Sequence, residues 1–206
     1  MAYDRLAESL RLLAGTTPAS EARLSRRVRH VPLAFDRLGD VAATMFLRRG
    51  VNGVPKLDVH ILELTDRSWR MLGGGSCGGK EALRARPSVG DSLVAGESCS
   101  NGGIARRSSR RLGWRQNNWT SWAELRLAQE VTLLRVGDRH LPVAAHGLAV
   151  VVWTTKQAPS VTAIDSTGVA LGNILVGLRP LAWIHRPLTL ERSEPGGSVF
   201  SASGHG

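Results

Sequence analysis

At 206 residues and 42% apolar content, the chain is long enough to bury one sizeable core and too apolar for a disordered segment. Its formal charge of +10 comes almost wholly from arginine, since Lys56, Lys80 and Lys156 are the only lysines, and it favours anionic partners: nucleic acid, phospholipid headgroups or an acidic protein. No uninterrupted apolar run reaches the roughly 18 residues of a membrane-spanning helix, and Cys77 and Cys99 are too few for a disulfide framework.

The N-terminal MAYDRLAESLRLLAG lacks the basic start and unbroken apolar run of a secretory signal, so the expectation is a cytoplasmic protein. Leu6, Leu10 and Leu13 share one stripe of a short amphipathic helix over residues 3–13, which stops at Gly15. A second, strongly basic helix is expected after Pro18, with Ser20 as its cap. Residues 1–30 thus form a helical or flexible extension. The apolar run Val41–Leu47 has no decisive period and fits a buried strand or a helix segment. KLDVHILELTD then reads as a central strand, and a turn at Asp66–Arg67 returns the chain through SWRML.

Glycine dominates from Gly73 to Gly103, which predicts a long irregular loop at about 73–103 between two parts of the sheet system. Beyond it, residues 124–176 alternate short apolar runs with turn chemistry at Asp138 and at Asp165–Gly168, the pattern of an antiparallel meander. LAVVVW, residues 148–153, is its most buried strand. The expected fold is therefore all-β or β-rich: an antiparallel β-sandwich or partly closed barrel over residues 31–190, with a short helical N-terminal region and a flexible tail at 191–206.

Chemistry is harder to read. Gly74–Glu81 approximates a phosphate loop, but Glu81 stands where a magnesium-binding hydroxyl is needed, and a carboxylate there repels phosphate. His60, His140, His146 and His185 form no metal-ligand spacing, so neither a metal nor another cofactor is expected. Ser98 and Cys99 in GESCS lack the glycine framing of a nucleophile elbow, so no catalytic residue is assigned. Cys77 and Cys99, each beside glycines, are a candidate disulfide, although reduced thiols suit the cytoplasm better.

The segment 104–123 is more suggestive. Arg106, Arg107, Arg110, Arg111 and Arg115 lie together with no acid among them, beside Trp114, Trp119 and Trp122. Planar aromatic surface plus cationic donors suits a protein hot spot or stacked bases. The sequence reading is a non-catalytic protein-interaction or self-assembly module, binding a protein partner or a second copy through Trp114, Trp119, Trp122, Arg110, Arg111 and Arg115. The alternatives are a nucleic-acid-binding protein using Arg106, Arg107, Arg110, Arg111 and Arg115, and a small hydrolase or metal-dependent enzyme whose site is assembled from distant residues.

Overall fold

A computed structural model of the chain describes residues 3–80, 83–92, 95–106 and 119–177. Helix α1 (Arg5–Leu13) precedes strands β1 (His30–Leu38), β2 (Val41–Arg49), β3 (Pro55–Thr65) and β4 (Ser68–Gly78). A helical turn, α2 (Val89–Ser92), leads to β5 (Gly96–Ala105) and β6 (Trp119–Leu127). The chain then runs through β7 (Leu133–Val136), β8 (Arg139–Pro142), β9 (Leu148–Trp153), β10 (Val161–Ile164) and β11 (Ala170–Ile174). These strands make three sheets, ordered β1-β2-β3-β4, β5-β6-β9 and β11-β10-β7-β8, and every pairing is antiparallel. The result is a largely antiparallel β structure with one short N-terminal helix, and no sheet closes into a barrel among the described residues.

Local chemistry accounts for the hairpins. Asp66 and Arg67 both take positive φ, 50° and 64°, which matches the right-handed twist of the strands they join. Asp165 receives the Thr167 and Val169 amides at 2.8 and 2.9 Å and closes the β10–β11 turn.

The middle sheet, β5-β6-β9, has an apolar neighbour on each side, because successive side chains of a strand point to opposite faces. Along β9, Leu148, Val150 and Val152 enter a core with Val31, Met45, Val59 and Ile61 of the first sheet. Ala149, Val151 and Trp153 enter a second core with Leu134, Val136, Val161 and Ala163 of the third sheet. All six residues are buried, which explains why LAVVVW is continuously apolar instead of alternating.

Three expectations are revised. The basic stretch after Pro18 is not helical: the Ala19 amide donates to the Pro32 carbonyl at 2.8 Å, Ser25 Oγ receives the amides of Arg27 and Val28, and Ala22 and Leu24 pack against the first core. The glycine-rich excursion is strand at both its ends, occupied by β4 to Gly78 and by β5 from Gly96. Its glycines make room for rings, since a Cβ on Gly102 would stand 2.3 Å from the Trp122 ring and one on Gly103 would stand 2.3 Å from Trp119 Nε1. Helix α1, capped by Asp4 on the amides of Leu6 and Ala7, docks through Ser9 and Leu12, while Leu6, Leu10 and Leu13 are only half-buried. The polar Ser9 leads because the sheet beneath offers it hydrogen bonds.

Candidate functional site

A cleft of about 560 Å³ lies between β1 and β8, floored by Ala149 and Val150 of β9. Leu33, Ala34, Phe35, Leu141, Pro142 and Val143 give it a mainly apolar lining. Both walls are terminal strands, hydrogen-bonded within their sheets on one side only: β1 to β2, and β8 to β7.

Asp36 and Arg139 cross the cleft as an ion pair. Val152 of β9 donates its amide to Asp36 Oδ2 at 2.8 Å, and its carbonyl accepts from Arg139 Nη2 at 3.0 Å. In an antiparallel ladder a residue's N–H and C=O point to the same side. The ion pair therefore takes the place of a neighbouring strand along the free edge of β9. Burial pushes the Asp36 carboxyl above its ordinary range, against the downward pull of the Val152 amide and the Arg139 guanidinium. Each carboxylate oxygen accepts one hydrogen bond, Oδ1 from Arg139 and Oδ2 from Val152, so Asp36 is held in place as part of the scaffold.

A serine–histidine pair lies on the other face of the first sheet. Ser9 Oγ is 3.0 Å from His60 Nδ1 and 2.8 Å from Thr44 Oγ1, and Tyr3 OH is 3.5 Å from His60 Nε2. The arrangement resembles a nucleophile with its base, but Ser9, which would have to attack, is fully buried and His60 nearly so. Burial lowers the His60 pKa to about 4, so the ring is neutral and serves to fasten α1 to β2 and β3. Nearby, Asp58 is held below the ordinary carboxylate range: burial raises its pKa, but the hydrogen bonds from Arg48, at 2.6 Å, and from Ser76 outweigh it.

At the seam between β4 and β6, Cys77 Sγ donates to Glu124 Oε2 at 3.4 Å. Burial, with the Glu124 carboxyl beside it, pushes the Cys77 thiol up to about 12, the opposite of an activated thiolate. Cys77 and Cys99 are not joined in a disulfide, Cys77 being half-buried and Cys99 exposed. Gly74–Gly78 of the phosphate-loop approximation belongs to strand β4.

The sequence-derived surface is divided. Trp122 is 7% exposed and packs into the first core, whereas Trp119 is 44% exposed. Arg106 is bound by Glu63, at 2.7 Å, and by Asp40, and so ties β5 to the first sheet. Arg107, Arg110, Arg111, Trp114 and Arg115 lie outside the described residues, as does His185. His140 is exposed, and His146 bonds the Leu33 carbonyl and the Leu148 amide. No group of three potential metal ligands converges among the described residues.

Asp36 and Arg139, which organise the cleft, were missed by sequence reasoning. A register shift between Pro32 and Ala34 switches the buried parity of β1 from Val31 and Leu33 to Asp36. An aspartate in a strand, otherwise expected to face water, was the one available signal. Comparison with protein-family models, with curated proteins and with solved structures gives no match for this chain.

Proposed function

We propose that this chain is a non-catalytic interaction module whose recognition site is the cleft between β1 and β8, and that its ligand is an extended, largely apolar segment of a protein partner. The observation that carries this reading is the pair of terminal strands facing each other across an apolar cleft. An extended segment laid there can add main-chain hydrogen bonds to an open strand edge and place alternate side chains against Phe35, Leu141 and Val143. The cleft volume falls within the usual range for ligand sites, roughly 300–1,000 Å³. Binding without catalysis is supported by the Asp36–Arg139 pair, whose polar atoms are engaged with each other and with Val152. The layering of sheets over two shared cores is read as a sandwich-like scaffold that holds the two edges apart.

The test is selection of displayed peptides on the full chain, followed by calorimetric titration of the selected peptides. Enriched sequences should alternate apolar and polar residues. Their affinity should fall at least tenfold in Phe35→Ser and in Pro142→Lys, two exposed positions on opposite walls. Selected peptides that bind both variants as tightly as the parent chain refute the assignment. Light scattering across concentration separates a foreign partner from a second copy, because self-association through the cleft would be lost in the same two variants.

A further inference from the structure

A different surface carries an independent inference. At one end of the first sheet, the Arg49 amide donates to the Arg29 carbonyl at 2.9 Å, and Arg48 pairs in register with Lys56. The preceding segment folds back on itself, with Ser25 donating its amide to Val28 and capping Arg27 and Val28 with its side chain. These bonds gather Arg23, Arg26, Arg27, Arg29, Arg49 and Lys56, all exposed, around one rim. None of the six forms an ion pair with a described carboxylate, and Glu21 is the one acid in residues 20–30.

Aliphatic side chains stand among these cations. Val51 is 107% exposed at the tip of the β2–β3 connection, Val54 is on the same loop, and Val28 is 46% exposed beside them. The loop is rigidly built: the Gly50 amide donates to the Val54 carbonyl at 2.8 Å, the Gly53 amide to the Gly50 carbonyl at 2.9 Å, and Asn52 Oδ1 accepts from the Val54 amide at 3.2 Å. Val51 is therefore presented outward by bonded backbone, and ordering it on a partner costs little.

The geometry points to this end of the sheet as a docking surface for an anionic lipid membrane. Six cations on one rim suit a negatively charged plane, and short aliphatic side chains projecting past them suit the boundary between headgroups and acyl chains. Nucleic acid fits less well. Single strands are held by aromatic stacking and duplexes by an element that enters a groove, whereas the crest here consists of three valines on loops.

The test is sedimentation of the full chain with phosphatidylcholine vesicles, alone and with about one third phosphatidylglycerol. The chain should partition onto the anionic vesicles only, and less as salt is raised. Each cation near such a surface changes partition by roughly fivefold, so the combined substitution Arg26→Ala, Arg27→Ala and Arg29→Ala should lower it by about a hundredfold. Val51→Asp, on a fully exposed side chain that leaves the core untouched, should lower vesicle partition several-fold while leaving any binding to a duplex oligonucleotide within twofold. Equal partition onto neutral and anionic vesicles overturns the proposal, and so does vesicle binding indifferent to Val51→Asp. Tighter binding to the oligonucleotide than to the anionic vesicles also overturns it and assigns the rim to nucleic acid.

Discussion

Removal of the Asp36 carboxylate tests how far one ion pair holds the three sheets together. Asp36→Ala strips the Val152 amide of its acceptor and leaves the Arg139 guanidinium, whose side chain is 22% exposed, without its counter-ion. An orphaned buried amide costs about 1–3 kcal/mol. Breaking a buried pair by deleting one partner costs about 3–5 kcal/mol, and the partial access of Arg139 to water places this case near the lower end, at about 3 kcal/mol. Urea unfolding should report that loss as a midpoint lowered by about 1 M, given a slope of a few kcal/mol per molar. Pairing Asp36→Leu with Arg139→Met should recover most of it. About 1 kcal/mol should remain missing, because the Val152 amide still lacks an acceptor. A loss under about 1 kcal/mol in Asp36→Ala, or a double variant as unstable as the sum of the two single ones, would refute the view that the pair acts as a surrogate strand.

Three further outcomes follow from the same geometry. His60 is kept neutral with a pKa of about 4, while the unfolded ring titrates near ~6.5, so between these values the unfolded chain binds the extra proton. The stabilising contribution is thus full above about pH 6.5 and is lost as the pH falls toward about 4, up to about 3 kcal/mol. Urea midpoints measured across that range should flatten in His60→Gln, though not fully, because burial also depresses His146; an unchanged slope would count against the assignment. Gly102→Ala should destabilise by about 1–3 kcal/mol because Trp122 is enclosed, whereas Gly103→Ala should cost under about 1 kcal/mol because the half-exposed Trp119 can swing aside; calorimetric melting that gives equal losses would contradict this ordering. Arg67→Gly should stabilise by about 1 kcal/mol by relieving the φ of 64°, and a lowered melting temperature would argue against stored strain at that turn.

Much of the strand pattern was legible because turns carry their own chemistry. Asp66–Arg67, Asp138 and Asp165–Gly168 are found where turn residues separate apolar runs, and the helix over residues 3–13 begins at its Asp4 cap. Less legible was anything that depends on which sheet faces which. Glycine in β4 and β5 looks like loop composition until the rings of Trp119 and Trp122 are placed over it, since a residue chosen for its missing side chain leaves no apolar period to read. The two tryptophans meet different surroundings, buried and exposed, and only the strand environment of β6 reveals that. The cleft could not be read because Asp36 and Arg139 lie 103 residues apart and a bulge moves Asp36 to the inner face.

The shared middle sheet also governs how the nascent chain must be handled. The first sheet is a meander of neighbours in sequence, so its four strands can pair as soon as Gly78 has been synthesised. Helix α1 then covers one face, but the other face, with Val31, Met45, Val59 and Ile61, waits for Trp122 and for Leu148, Val150 and Val152. At about 5–20 residues per second, those residues follow several seconds later. Until then the first sheet has no cover for that apolar face, so its packing waits on strands made much later in synthesis.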